Sequence, residues 1–311
     1  MVKFIVRRIL SALITVFFVV TIVFFLTKLT PGKPFDSEKM SHEAIKEMEH
    51  LYGFDRPLFV QYVDYLRHLI FYGDLGLSTG NLHSSVNEII FPKGNDSAFY
   101  LSMKFGLIVI FFVLILGILL GIVAALNPDG IADRCISFFT VLGITLPTIV
   151  TAPLLVLVFS VLLGLFPTSG WNMSFRNLFL PVVALSIPNI AYISQIQRDS
   201  FMNVLKMPFI KTAMAMGLPK SWIIFKHAIK PSLIPTMSYL GPTAASILSG
   251  SVVIEKVFSF PGIGTHTVSA ATNRDYSMIL ALVIIYSIVL ITCNTIIDII
   301  YCYLDPKIKI R

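Results

Sequence analysis

Six long apolar runs constrain the fold of this chain more than any motif does. Crossing a hydrocarbon core takes roughly 20 residues of α-helix, a conformation in which the backbone satisfies its own N–H and C=O groups. Runs of that length occur at 9–29, 105–126, 136–165, 179–196, 233–253 and 278–304. The expected fold is an all-α membrane protein of six transmembrane helices, with an extracytoplasmic insertion after the first and a cytoplasmic helical segment between the fourth and fifth. Composition agrees: 56% of residues are hydrophobic and 13% charged, with a mean hydropathy of +0.82, more apolar surface than one soluble core can hide. The first run is too long for a signal-peptide core and shows no small-residue cleavage site before Pro31-Gly32, so it is expected to stay as an anchor. Pro147 and Pro153 fall inside the third run and are expected to kink it, with a re-entrant break or split pair as the alternative to a plain crossing.

Charge sets the expected orientation. Lys3, Arg7 and Arg8 precede the first run, Arg198, Lys206, Lys211, Lys220, Lys226 and Lys230 flank or fill the fourth connection, and Lys307, Lys309 and Arg311 lie beyond the last. All become cytoplasmic if six helices alternate, which puts both termini inside. The opposite face receives a stretch containing Asp36, Glu38, Glu43, Glu47 and Glu49. The domain plan is then an anchor helix at 1–30, an extracytoplasmic insertion at 31–98, a five-helix core at 99–304 with a linking segment at 199–232, and a cytoplasmic tail at 305–311. Within the insertion, PLFVQYVDYLRHLIFYGDLGLS at 57–78 carries Leu58, Val60, Tyr62, Val63, Leu66, Leu69 and Ile70 at roughly helical spacing, predicting an amphipathic helix that stops at Gly73.

Several function classes lose support on the residues alone. The net charge of +7 sits beside apolar runs and not in aromatic-interleaved patches, which argues against nucleic acid. Cys135, Cys293 and Cys302 lie in or beside apolar runs and outline neither a disulfide framework nor a zinc site. The six histidines show no ligand spacing, so no metal site is expected, and no Ser-His-Asp or paired-carboxylate arrangement supports catalysis. No G-x-x-x-x-G-K-[ST] string occurs, so ATP phosphates are not cradled by that device. No internal repeat supports an inverted-repeat secondary transporter.

The segment KTAMAMGLPKSWIIFKHAIKP at 211–231 is too polar to cross a bilayer. Phe201, Val204, Leu205, Phe209, Ile210, Ala213 and Met214 make an interfacial pattern interrupted by Pro208. Gly217 permits a tight turn, and Leu218-Pro219-Lys220-Ser221 can open a second short helix. A helix–turn–helix knob is predicted, with Ala213, Ala215 and Gly217 small enough for another surface to approach the backbone. A basic loop lying on lipid is the equally weighted alternative on pattern alone.

The order Thr212-Ala213, Gly217, His227 and Leu233-Ile234-Pro235 resembles the cytoplasmic coupling motif of ABC-importer permeases. Lys211 stands where such permeases often carry an acid, a departure that fits the oligopeptide/dipeptide branch. YGFDRPLFVQYVDYL at 52–66, GDLGLS at 73–78, EKVFSFPGIG at 255–264, NRDYSMI at 273–279 and LDPKIK at 304–309 extend the likeness over essentially the whole chain. Together they resemble the B-type membrane subunit of a peptide permease in the binding-protein-dependent inner-membrane component family. The resemblance implies a multi-pass subunit of the bacterial cell membrane, not itself an enzyme, forming half of a pathway for oligopeptides or dipeptides. Its implied partners are a paralogous second permease subunit in a heterodimer, two cytoplasmic ATP-binding subunits that hold ATP and Mg, an extracytoplasmic peptide-binding protein and membrane lipid, with no cofactor in this chain. The segment between the fourth and fifth helices becomes the coupling helix, with Lys211, Thr212, Ala213, Gly217, Leu218 and His227 at the ATPase contact. Related permeases carry nickel, metal chelates or sugars, which is the alternative cargo; an ATP-independent secondary transporter or channel is the alternative of another class, and a membrane-embedded hydrolase a weaker third.

For the pathway or outer gate the candidates are Asn189 and Gln195 in the fourth run, Gly241, Ala245 and Ser249 at four-residue spacing in the fifth, and Glu255 beyond it. Polar amides can line a pathway or join helices, and small residues at that spacing permit close helix contact.

Overall fold

Leu146 precedes Pro147, whose ring disfavours the helical conformation in the residue before it, and Leu146 accordingly sits at φ −82°, ψ 116°. In the computed structural model, which describes residues 2–30, 42–82, 84–92, 97–170 and 174–304, this is the sharpest break in the membrane helices. Apart from an isolated bridge between Leu77 and Ser85, the regular structure of the described residues is helical. In chain order the helices are α1 (Val2–Leu29), α2 (His42–Leu51), α3 (Leu58–Tyr72), α4 (Val86–Ile90), α5 (Ala98–Leu126), α6 (Ile131–Thr145), α7 (Thr148–Leu155), α8 (Phe175–Leu205), α9 (Pro208–Ala215), α10 (Lys220–Trp222), α11 (Ile229–Leu248), α12 (Val252–Val257), α13 (Ile263–Thr272) and α14 (Tyr276–Leu304). Two π-helical stretches, Val156–Leu162 and Ile223–Ala228, extend α7 and lead into α11.

Five stretches are long and apolar enough to cross a membrane: Arg7–Leu29, Ala98–Leu126, Phe175–Leu205, Lys220–Val257 and Tyr276–Leu304. The third apolar run is different. It is the pair Ile131–Thr145 and Thr148–Leu162, bent by 106°, so the kink expected at Pro147 is a full break, and the count of spans is five, or six with the bent pair taken as one. Pro181 and Pro188 in α8 and Pro235 and Pro242 in α11 are carried inside continuous helices.

The chain divides into two compact units, each discontinuous in sequence. The first holds 104–260 and 290–311 together with 1–5, and its core is built on α8, against which α6, α7 and α11 pack. α5 reaches α8 through Gly117 and Gly121, a small-x-x-x-small pair that lets two backbones approach closely. A Cβ on Gly121 would stand 2.6 Å from the Ser194 carbonyl oxygen and 2.7 Å from Gln197 Cβ. The carbonyl cannot swing aside, so Gly121→Ala is expected to cost about 1–3 kcal/mol as an overpacking change. Thermal unfolding of the detergent-solubilised protein should shift down by several degrees; an unchanged curve would mean that the helices are not this close.

Two polar networks tie the helices of this unit together. The fully buried Gln197 donates from Nε2 to Ser232 Oγ at 2.9 Å and accepts from Thr236 Oγ1 at 2.7 Å, stitching α8 to α11. Arg198 grips Asp133 of α6 with two hydrogen bonds, Nε to Oδ1 at 2.6 Å and Nη2 to Oδ2 at 2.7 Å. Asp133 also accepts the Asp129 backbone N–H at 2.9 Å and the Ser137 hydroxyl at 3.4 Å.

The second unit holds 6–103 and 261–289. Here α3 is the amphipathic helix predicted in the insertion, ended by Gly73 in the left-handed conformation at φ 62°. Its packing face is narrower than the apolar pattern implies. Tyr62, Tyr65 and Leu66 pack on Phe24, with the Tyr62 hydroxyl 2.6 Å from Thr21 Oγ1, while Leu58, Val60, Val63 and Ile70 are exposed. Burial, and then the charge of Asp74, raises the Tyr65 phenol above its ordinary range, so it stays a neutral hydroxyl. At the start of α14, buried Asp275 accepts from the backbone N–H groups of Thr79 (3.2 Å), Gly80 (3.1 Å) and Met278 (3.1 Å) and from the hydroxyls of Ser78 and Thr79. The turn after Pro261 leads into α13, where Ile263 N–H donates to Ser102 Oγ at 2.9 Å.

Candidate coupling knob and translocation groove

The segment linking α8 to α11 is a helix–turn–helix. Pro208 opens α9 as its first residue, where a missing N–H costs nothing, so it separates two helices and does not interrupt one. Met216 N–H closes on Thr212 O at 3.0 Å, Gly217 turns the chain at φ 72°, and Pro219 caps the start of α10. A Cβ on Gly217 would meet nothing within 4 Å, so what selects glycine there is the left-handed backbone and not space.

One face of this knob is sealed to the body of its own unit. Ile210, Ala213, Ile223 and Ala228 are buried in one apolar cluster with Ala125 at the end of α5 and Phe201 and Val204 at the end of α8; Leu218 and Ile224 pack against its edge. The other face stands out: Lys211, Thr212, Met214, Ala215, Gly217 and Lys220 are exposed, as is Met216 at 67%. His227 is half-buried. The expectation that Ala213 offers its small side to another protein is corrected: at 4% exposure it is a packing residue, and the approachable small residues are Ala215 and Gly217.

The pathway candidates separate. Asn189 lines a groove of about 490 Å³ between α8 and α11, together with Leu185, Tyr239, Thr243, Ser246 and Gly250. Gln195, more than a turn further along α8, faces a different cleft of about 100 Å³ beside Ile136, Ser137 and Thr140 of α6. Gly241 and Ala245 do not line the groove. Both are buried, and a Cβ on Gly241 would stand 2.6 Å from Asn294 Oδ1 of α14, so these small residues serve helix contact. Ser249 is half-buried, and Glu255, at 1% exposure, lies inside the unit and not at an open mouth.

The groove residues that sequence reasoning passed over had a signal. Tyr239, Thr243 and Ser246 recur at spacings of four and three, a polar stripe on α11 adjacent to the small-residue stripe, with Gly250 just beyond the helix end. Tyr192 of α8 stacks on Tyr239 with ring centroids 5.7 Å apart, adding an aromatic rim.

A family model described as "Binding-protein-dependent transport system inner membrane component" matches residues 117–310, and one described as the N-terminal part of such a membrane component matches 1–85. The chain is 43% identical over 311 residues to the oligopeptide transport system permease protein OppB of Haemophilus influenzae, covering 99% of this chain and 100% of the relative. It is 41% identical over the same coverage to OppB of Escherichia coli K12, and 37% identical to the dipeptide transport system permease protein DppB of Bacillus subtilis, covering 100% of this chain and 99% of the relative. A solved structure of the MetNI methionine ABC transporter in inward-facing conformations superimposes on 65% of this chain and 93% of its own with a TM-score of 0.51 at 17% identity, a likeness of fold. On these matches, the chain is a multi-pass membrane protein belonging to the family of binding-protein-dependent transport system inner membrane components.

Proposed function

We propose that this chain is one of two permease subunits of an ATP-driven importer of oligopeptides or dipeptides. The single observation that carries the mechanism is the knob at 208–222, sealed on one side to the ends of α5 and α8 and projecting on the other. Two cytoplasmic ATPase subunits, which hold ATP and Mg, grip the projecting face on this chain and on a paralogous partner. Because Ile210 and Ala213 are packed against Phe201 and Ala125, a shift of the knob moves the helix ends with it. The groove at Asn189, Thr243 and Ser246 supports a water-facing pathway, since amide and hydroxyl groups on a spanning helix are costly against lipid. Peptide is the cargo suggested by relatives of the same length named for oligopeptide and dipeptide transport. An extracytoplasmic peptide-binding protein delivers it, and both termini lie in the cytoplasm of a bacterial cell.

Reconstitution with the subunits encoded beside this chain tests the reading. Peptide uptake into vesicles should require ATP; uptake by this chain alone down an ion gradient would refute it, and ATP-dependent uptake of nickel or a sugar but not of peptides would overturn the cargo. Gly217→Val forces a β-branched residue into the left-handed region at a cost of about 1–2 kcal/mol. Co-purification of the ATPases should fall about tenfold while membrane insertion is unchanged, and full retention would remove the knob from the docking surface.

A further inference from the structure

We propose that Trp222, Lys226, Lys230 and Tyr303 form a site for the headgroup of an anionic phospholipid. The span Lys220–Val257 begins, and the span Tyr276–Leu304 ends, at this place in the first unit. Lys230 Nζ lies 4.9 Å from the ring centroid of Tyr303, so the two span ends stand at one depth. Lys226 Nζ lies 4.4 Å over the Trp222 ring. Positions 222, 226 and 230 recur every four residues and share one helix face, joined by Phe225. Trp222, Phe225 and Tyr303 are 48%, 75% and 78% exposed.

Among the described residues neither ammonium has a carboxylate partner; each rests on an aromatic face. Two positive charges one turn apart, held by rings and otherwise open, are complementary to a phosphodiester that accepts from both. Phe225 decides between a lipid and an acidic protein surface. A phenylalanine this exposed beside the charges suits acyl chains, and Trp and Tyr favour the depth of the headgroups. The proposal needs only that these helices span the membrane; it is independent of which compartment the knob faces and of what grips it.

The full chain contains two tryptophans, so Trp171→Phe leaves Trp222 as the reporter. Its fluorescence is followed in vesicles carrying brominated phosphatidylglycerol or brominated phosphatidylcholine at equal mole fraction. Phosphatidylglycerol should quench with a relative association constant about tenfold higher, as two lysines at an anionic surface imply. The preference should fall to near unity in K226Q/K230Q and survive K206Q/K211Q. Equal quenching by the two lipids in the parent chain overturns the site. So does a preference that persists in K226Q/K230Q, above all if that variant instead releases the ATPase subunits, which would make the patch a protein contact. Should the double variant fail to insert, salt decides on the parent chain: at about 1 M salt, where screening acts within about 3 Å, the preference should collapse, and its survival refutes the proposal.

Discussion

Asp275→Ala is expected to leave almost no folded protein in the membrane. The carboxylate satisfies three backbone N–H groups and two hydroxyls, and its removal strands the buried N–H groups of Thr79 and Met278 and the buried hydroxyls of Ser78 and Thr79. Each buried group left unmade costs about 1–3 kcal/mol, so the sum is comparable with the whole stability of a domain. Asp275→Asn keeps the volume and one acceptor oxygen but turns an NH₂ toward donors, and should be intermediate. Yield on gel filtration and thermal unfolding in detergent measure both; an alanine variant that accumulates and melts like the parent would show that the clasp does not hold the segment. The same clasp ties GDLGLS at 73–78 to NRDYSMI at 273–279: the Ser78 hydroxyl, with Thr79 and Gly80 just beyond it, donates to Asp275.

Arg198→Ala is expected to destabilise the first unit by about 3–5 kcal/mol, because it strands the buried Asp133 carboxylate with only the Asp129 N–H and the Ser137 hydroxyl. The desolvation cost of the pair points to a rescue. Replacing both partners by apolar residues, as Arg198→Met with Asp133→Leu, should recover more than half of the lost stability, since no charge is then buried alone. Unfolding temperatures of the parent and the two variants check this; a single variant as stable as the parent, or a double variant no better than the single, would contradict it. Transport assays on the rescued protein separate the two roles of Arg198, which also lies one turn from Phe201 in the cluster that holds the knob.

Much of the architecture was legible because membrane solvation is a local rule: an apolar run of sufficient length must become a helix, whatever its neighbours. Local rules also gave α3, the turn at Gly217 and a bend at Pro147, each fixed by residues adjacent to it, though not that the bend is a full break. What escaped was direction. α9 has two turns, and its alternation cannot say whether Ala213 faces a partner or its own body; Phe201 and Ala125 decide that from other helices. Gly241 announced a close contact without naming Asn294 as the other side. Asp133 and Asp275 were single acids in the sequence, since their partners lie 65 and 196 positions away.

The π-helical stretch at Ile223–Ala228 has a consequence for the groove. The N–H of Ile229 donates to Ile224 O, five residues back, which accommodates one residue more than an α-turn holds. Pro231 has no N–H to return to His227, so the helix is already relieved of one bond there. Deleting a residue in this stretch would let it relax to the ordinary pitch and leave the downstream helix in phase, because the wide turn already absorbs the surplus. Deleting one from the regular helix between Ile229 and Tyr239 would instead rotate everything beyond it by about 100°, and Thr243 and Ser246 would swing out of the opening. The base of the fifth span is thus a place where a change of length is tolerated without turning the groove face away.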